Sequence, residues 1–112
     1  MEFSQRAKLI AGLIQDKKAE DILIMDMSKA VDFADFFIIC AADSYRHVKA
    51  IADYVIENAK KKGVRIWHSE GYDDANWILL DYGDIIVHIF MEEARRFYAL
   101  ERLWRDVPVE KV

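Results

Sequence analysis

Two long stretches of the chain carry apolar residues at helical spacing. Within residues 4–18, alanine, leucine and isoleucine recur every three to four positions behind Ser4, a residue that can cap a helix. Within residues 48–59 apolar side chains recur at the same spacing, after a capping Ser44 and before three lysines and Gly63. Lysines near the last turn and a glycine directly after it are typical of a helix C-terminus. Both stretches therefore predict amphipathic helices.

Five shorter apolar runs have the length and composition of β-strands, at residues 22–27, 36–42, 64–68, 77–80 and 85–90. The run 36–42 is apolar at every position, which predicts a central strand covered on both faces. Tyr82-Gly83 supplies a turn between the last two runs, so they are expected to form a hairpin. The run 64–68 is expected to be joined to 36–42 by one right-handed crossover through the long helix.

The rest of the chain completes an α+β pattern. A last helix is predicted over residues 92–104, with an apolar stripe of Phe97, Leu100, Leu103 and Trp104. Segments 28–35 and 70–76 are polar loops, and Val107-Pro108 is expected to end the folded part. The order predicts an α+β fold with helices packed on a mixed five-stranded sheet. A chain of 112 residues has room for one core, so residues 1–112 are interpreted as a single domain.

Composition and charge narrow the classes of protein. Hydrophobic residues make up 54% of the chain and aromatic residues 12%, which indicates a globular protein rather than a disordered one. The net charge of −4 argues against binding nucleic acid by bulk charge, although a local basic patch stays open. Cys40 lies inside an apolar run and is expected to be buried, without a disulfide. With neither a membrane-helix run nor a signal-peptide pattern, we expect a soluble, cytoplasmic protein.

The predicted hairpin carries residues that a plain core does not need. Trp77, Leu79 and Asp81 share one face of a strand, because side chains alternate along it. In one interpretation Trp77 is a core residue and Asp81 fixes the turn. In the other, Trp77 and Leu79 form an outer binding face with a carboxylate rim. Asp84, across the turn, either caps it or meets a basic partner.

Three further groups of residues are candidates for binding. His88 lies in mid-strand and is interpreted as a hydrogen-bonded, partly buried group; neither H-x-x-x-H nor C-x-x-C occurs, so no metal site is expected. Arg95 and Arg96 follow two glutamates, and they either form ion pairs within the helix or leave one arginine for an RNA phosphate or a partner carboxylate. Ser44 and Arg46 open the long helix and form a weak candidate for an anion site.

Longer motifs give the chain a family resemblance. Residues 77–88 read W-x-x-x-D-x-G-D-x-x-V-H, and residues 95–104 read R-x-F-Y-x-L-E-x-L-W. D-F-F-I-I-C-A-A-D-S-Y-R-H-V-K-A-I-A-D precedes them, and E-G lies between. Each motif alone is weak, but their combination resembles the ribosomal silencing factor family, also called the Iojap family. The resemblance extends over about residues 19–104.

The resemblance implies a nucleotidyltransferase-like fold. It also implies a protein that acts by binding, with no enzymatic activity and no cofactor. It implies attachment to the intersubunit face of the large ribosomal subunit, through the large-subunit protein numbered fourteen in bacteria. There the bound protein blocks joining of the small subunit and represses translation. Some family members form homodimers. The candidate contacts with this partner come from the sequence pattern and not from the family; they are Glu70, Trp77, Leu79, Asp81, Tyr82, Asp84, His88, Arg95 and Arg96.

Other functions stay open beside this one. Organelle relatives of the family act in ribosome assembly, so a large-subunit assembly factor is one alternative. A nucleotidyltransferase-fold protein acting on a small ligand is another, although the chain has no G-S, no P-loop and no G-x-G-x-x-G. A dimerisation module that uses the Trp77 face is a third. Attachment to the large subunit leaves a peripheral contact with ribosomal RNA possible, and no membrane partner is expected.

Overall fold

The computed structural model describes residues 4–112 and contains two long helices and two short ones. Helix α1 spans Gln5–Asp16 and α2 spans Tyr45–Lys61. Each begins after a serine whose hydroxyl accepts a hydrogen bond from the backbone N–H three residues later. Helices α3, Glu92–Tyr98, and α4, Leu100–Leu103, follow near the C-terminus. The two predicted amphipathic helices are confirmed.

One six-stranded sheet has the order β3-β4-β5-β2-β1-β6. Its strands are β1, Glu20–Asp26; β2, Phe36–Ala42; β3, His68–Glu70; β4, Trp77–Asp81; β5, Ile85–Met91; and β6, Val109–Lys111. Strands β2 and β5 lie side by side at the centre and run parallel, whereas the other neighbouring pairs are antiparallel. The α+β fold with a mixed sheet, the central β2 and the β4–β5 hairpin are confirmed. The predicted number of strands was too low by one.

The third predicted strand is displaced in the structure. Strand β3 begins at His68 and lies at an edge, antiparallel to β4, so no crossover makes it a neighbour of β2. The parallel neighbour of β2 is β5. Val64 is buried and Ile66 packs against the core, so these apolar residues anchor the chain as it returns from α2. Alternating burial in a short segment reports which side chains face inward and says nothing about strand pairing.

The C-terminal region also departs from its prediction. The last helix is interrupted at Ala99, whose φ of 47° is left-handed and cannot continue a right-handed helix. Of its predicted apolar stripe, Phe97 and Leu103 are exposed, while Leu100 and Trp104 pack against the sheet. The folded part continues beyond Pro108, because β6 pairs with β1 and adds the sixth strand.

The two faces of the sheet are covered unequally. Helices α1 and α2 cover one face, here called the helix face, over a core that contains Ile38, Ile78 and Leu80. The opposite face, here called the open face, carries a smaller cluster that includes Phe37 and Phe90 and is covered by α3, α4 and loops. Within residues 4–112, no helix combines the length and hydropathy that crossing a membrane requires. The thin cover over the open face leaves room for a binding site.

Candidate functional site

A groove of about 350 Å³ lies on the open face, bordered by β3, β4 and the region of α4. Trp77 and Leu79 from β4 line it together with His88 from β5. Glu70 and Asp81 add two carboxylates to the same lining. The structure thus brings five of the residues selected from the sequence into one depression.

Alternation along β4 decides which of its side chains reach the groove. Ile78 and Leu80 are fully buried in the core of the helix face, as one interpretation of the sequence required. Trp77 and Leu79 point the other way and are half-buried. The indole of Trp77 packs on the ring of Phe90, with centroids 4.9 Å apart, so Trp77 belongs to a small aromatic cluster and also borders the groove.

His88 holds the orientation of Trp77. The indole Nε1–H of Trp77 donates a hydrogen bond of 3.0 Å to His88 Nδ1, so that nitrogen must be unprotonated. The proton of the neutral ring is then on Nε2, which has no hydrogen-bond partner among residues 4–112. His88 is only 4% exposed, and this burial lowers its pKa to about 4. His88 is therefore neutral at physiological pH, which preserves the bond to Trp77.

The two carboxylates at the groove differ in their freedom. Asp81 Oδ1 accepts a hydrogen bond of 2.7 Å from the backbone N–H of Gly83, which confirms that Asp81 fixes the β4–β5 turn. Glu70 has a side chain that is 67% exposed, and its Oε2 lies 3.3 Å from Nε2 of His68. Glu70 is thus the accessible charge at the rim, while Asp81 has a structural role as well.

Two candidates from the hairpin turn lie outside the groove. Tyr82 is buried in the core of the helix face, and burial raises its pKa to about 12. Asp84 accepts a hydrogen bond of 2.5 Å from the guanidinium of Arg6 on α1. The turn therefore points these two residues away from the groove residues of β4.

The two arginines of α3 have different environments. Arg95 is buried and donates to the backbone oxygen of Asp21 at 2.6 Å and to Glu101 Oε1 at 3.2 Å. Arg95 therefore pairs with Glu101, and not with Glu92 or Glu93 as one interpretation of the sequence predicted. Arg96 is exposed and lines a separate depression beside β1. Neither arginine lines the groove.

The N-terminus of α2 offers little beyond its cap. Ser44 Oγ accepts the N–H of His47 at 3.1 Å, which confirms the predicted cap. Ser44 and Arg46 line a shallow hollow, where His47 Nε2 lies 2.6 Å from the carbonyl oxygen of Lys17. The anion site stays a prediction. Within residues 4–112 no group of three or more His, Cys, Asp or Glu side chains is placed to hold a metal ion.

Comparison with known proteins assigns the family. The model of the family described as "Ribosomal silencing factor during starvation" matches residues 1–112. This chain belongs to the ribosomal silencing factor family. The resemblance found in its sequence motifs is confirmed.

Individual relatives agree with this assignment. The ribosomal silencing factor RsfS of Bacillus subtilis (strain 168) is 42% identical over 102 residues, which cover 91% of this chain and 86% of that protein. A crystal structure of a Chromobacterium violaceum protein is similar with a TM-score of 0.88 and 38% identity, covering 93% of this chain and 87% of the other. A mouse protein named "Mitochondrial assembly of ribosomal large subunit protein 1" is 28% identical, over 86% of this chain and 43% of its own length.

One side of the groove was not predicted from the sequence. It is formed by Phe33, Phe37, His68, Ile86, Leu100 and Trp104. Phe37 and Trp104 meet edge to face, with ring centroids 5.4 Å apart, and so connect β2 to the segment after α4. Phe37 could have been found from alternation, because Ile38 and Cys40 belong to the opposite face. Trp104 gave no comparable signal, since its position depends on the break at Ala99.

Gly71 lies in the loop before β4, at a position where a side chain would not fit. Its φ is +83°, and a Cβ there would collide with the carbonyl oxygen of Trp77. We expect Gly71→Ala to lower the free energy of unfolding by about 2 kcal/mol, because both the backbone conformation and the collision must be relieved. Urea unfolding measures the decrease. Gly63→Ala is the matched control, since Gly63 has a φ of +85° and no atom within 4 Å of its Cβ position. Equal destabilisation in the two variants would show that the collision with Trp77 costs nothing.

Proposed function

We propose that this protein binds the large ribosomal subunit and represses translation by preventing the small subunit from joining. Family membership supports action on ribosomes. The observation that carries the proposal is the groove, which places Trp77 and Leu79 beside the carboxylates of Glu70 and Asp81. Half-buried apolar and aromatic side chains with a polar rim are the usual anatomy of a protein-binding hot spot. The groove thus favours a protein as the direct partner.

The charge of the chain favours a basic partner. The net charge is −4, and the exposed carboxylate of Glu70 lies at the rim of the groove. A protein rich in lysine and arginine would be steered to this surface and held there by complementary charge. The family resemblance implies that this partner is the large-subunit protein numbered fourteen. Its site of action would then be the compartment that contains the ribosomes, which in a bacterium is the cytoplasm.

Repression by occlusion needs no chemical step. The protein measures 34 × 34 × 22 Å along its principal axes. Direct contacts between two subunits act over only about 3–4 Å, so a body of this size held between them would keep the covered surfaces apart. The hydrogen bond of Trp77 to His88 and its contact with Phe90 position the indole before binding, and a preformed surface loses less entropy on binding.

Co-sedimentation with purified ribosomal particles tests this proposal. The unmodified protein is expected to pellet with large subunits and to be absent from small subunits and joined ribosomes. We expect Glu70→Lys/Leu79→Lys to weaken large-subunit binding at least about tenfold, because it repels a basic partner and places a charge in the groove. Asp16→Lys is the matched control for charge: Asp16 is exposed, lies at the end of α1 on the helix face and does not line the groove. A subunit-joining assay then measures repression directly.

Two outcomes would contradict the proposal. If the folded protein pelleted with no particle, binding to the ribosome would be wrong. If Asp16→Lys weakened binding as much as the groove variant, the groove would not be the contact surface. Circular dichroism and urea unfolding of each variant distinguish a defect in binding from a defect in folding. Self-association through the Trp77 face, the alternative raised by the sequence, is tested on the same samples by analytical ultracentrifugation.

A role in assembly of the large subunit is a second candidate. The mouse relative is named for that process, and it matches 86% of this chain. An assembly factor predicts that cells without the protein accumulate large-subunit precursors during growth. A silencing factor predicts normal large subunits and an excess of joined ribosomes in starved cells. Sucrose-gradient profiles of a deletion strain in both conditions separate these outcomes.

A further inference from the structure

One exposed segment of the chain has the opposite charge to the chain as a whole. Residues 60–67 read K-K-K-G-V-R-I-W and contain four cations and no acid, in a chain whose net charge is −4. The side chains of Lys60, Lys61, Lys62, Arg65 and Trp67 are all exposed. These five residues are here called the basic corner. They do not contribute to the groove.

Local structure explains why each member of the basic corner is exposed. Gly63, with a φ of +85°, turns the chain directly after α2 and its last lysines. Val64 and Ile66 then pack inward on the core of the helix face, so Arg65 and Trp67 alternate outward. The stretch from Lys61 to Trp67 spans at most about 20 Å even when fully extended. Cations and indole therefore lie within one short stretch of surface.

Trp67 is exposed but its position is fixed. Its side chain is 76% exposed, which is unusual for so large an apolar group. Its backbone N–H donates to the carbonyl oxygen of Asp81 at 2.8 Å, which ties it to β4. The ring lies against Gly83, where a Cβ would be only 2.9 Å from Trp67 Cζ2. The indole thus rests on bare backbone and presents the rest of its surface to solvent.

Helix capping explains only part of the basic corner. Lysines at residues 60 and 61 interact favourably with the negative end of the α2 dipole, and Lys61 lies 3.8 Å from Glu57. Arg65 and Trp67 lie beyond the helix and gain nothing from its dipole. Surfaces that bind single-stranded nucleic acid usually combine two features. Basic side chains follow the phosphate backbone, and aromatic side chains provide flat rings on which bases stack.

We propose that the basic corner binds a looped or single-stranded segment of RNA. The cations would contact phosphates and the exposed indole of Trp67 would stack on a base. Trp67 directly precedes β3, whose Glu70 lies at the rim of the groove, so one bound molecule can make a protein contact and an RNA contact side by side. This inference rests on the proposed function only for the location of that RNA on the large subunit.

Salt dependence of large-subunit binding is the first test. The logarithm of the association constant for the large subunit falls as the logarithm of the salt concentration rises. We expect Lys60→Gln/Lys61→Gln/Lys62→Gln to make this slope shallower by about 2, at about 0.7 for each single-strand phosphate that is no longer neutralised. We expect Trp67→Ala to weaken binding about tenfold with the slope unchanged, because stacking carries no charge. Lys8→Gln/Lys18→Gln/Lys29→Gln removes the same charge from exposed positions elsewhere and should leave the slope nearly intact. Equal slopes for the two triple variants would overturn the proposal while leaving the protein contact at the groove standing.

RNA alone provides a test that does not depend on the ribosome. An unstructured RNA of about 12 nucleotides is titrated into the protein at low salt while tryptophan fluorescence is recorded. The unmodified protein should show quenching that rises with RNA and is reversed by salt, and Trp67→Phe should lose most of that quenching. The same quenching in Trp67→Phe, or none in the unmodified protein, would overturn the proposed stacking contact even if large-subunit binding is confirmed.

Discussion

As the pH falls from 6.5 to 4, His88 is expected to lower the free energy of unfolding by about 3 kcal/mol, because a difference of one between the folded and unfolded pKa corresponds to about 1.4 kcal/mol. The unfolded chain takes up a proton at this residue below its ordinary pKa of 6.5, whereas burial holds the folded pKa at about 4. The unfolded state therefore binds more protons throughout this window, and stability falls as the pH falls. Above pH 6.5 both states are neutral at His88, so the residue adds no pH dependence there.

Urea unfolding at a series of pH values measures this effect. Carboxylates also titrate near pH 4, so the informative quantity is the difference between the protein and His88→Phe, which removes the titrating ring. We expect the variant to lose about 3 kcal/mol less than the unmodified protein over the window. His68→Gln removes an exposed histidine at the groove and is the control. If His88→Phe showed the full pH dependence of the unmodified protein, the imidazole would not be held neutral by burial.

Protonation of the His88 ring is also expected to change the position of Trp77 in the groove. Protonation of Nδ1 would break the hydrogen bond from the indole of Trp77 and place a charge among aromatic rings. We therefore expect the NMR signal of the Trp77 indole N–H to shift as the pH approaches 4. His88→Asn, whose side-chain oxygen can accept the same proton, should keep that signal nearer its position at neutral pH than His88→Phe.

Arg95→Met is expected to lower the free energy of unfolding by about 3 kcal/mol, whereas Arg96→Met should change it by less than about 0.5 kcal/mol. Arg95 is buried and joins α3 to the carbonyl oxygen of Asp21 and to Glu101. Removal of the guanidinium leaves these acceptors without their donor, and Glu101 Oε2 already has no partner among residues 4–112. The exposed Arg96 has no comparable role.

Chemical denaturation of the two variants tests this difference, and near-UV circular dichroism adds a local readout. Loss of Arg95 should loosen the α3–α4 region and with it Trp104, which borders the groove. The aromatic signal is therefore expected to weaken in Arg95→Met at low denaturant and to be retained in Arg96→Met. Equal destabilisation by the two substitutions would show that the buried contacts of Arg95 are not what attaches α3.

The order of most elements could be predicted from local pattern. The apolar run that became β2 is buried on both faces because it lies next to β5 at the centre of the sheet. Helix α2 follows its apolar stripe between a serine cap and a glycine. The displaced β3, the break at Ala99 and the added β6 were not predictable in this way, because each depends on contacts with residues distant in sequence.

Some residues of the candidate site could likewise be predicted from local pattern, whereas others depend on contacts with distant residues. Trp77, Leu79 and Asp81 share a face for a local reason, the alternation of side chains along a strand. Tyr82 and Asp84 look equally suitable in the sequence, yet the turn sends one into the core and the other to Arg6. No local pattern distinguishes these cases, because a turn reverses the direction of the chain within two residues.

The family, the α+β class, the two long helices and the β4–β5 hairpin could be predicted from the sequence, because these follow from periodicity, caps and contiguous motifs. The folded structure was needed to show which face of the sheet stays thinly covered, that His88 is neutral and holds Trp77, and that Arg95 is structural while Arg96 is exposed. It also placed Trp67 on Gly83 beside a run of cations. Burial and hydrogen bonding between residues far apart in the chain determine these properties, and they arise only when the sheet assembles.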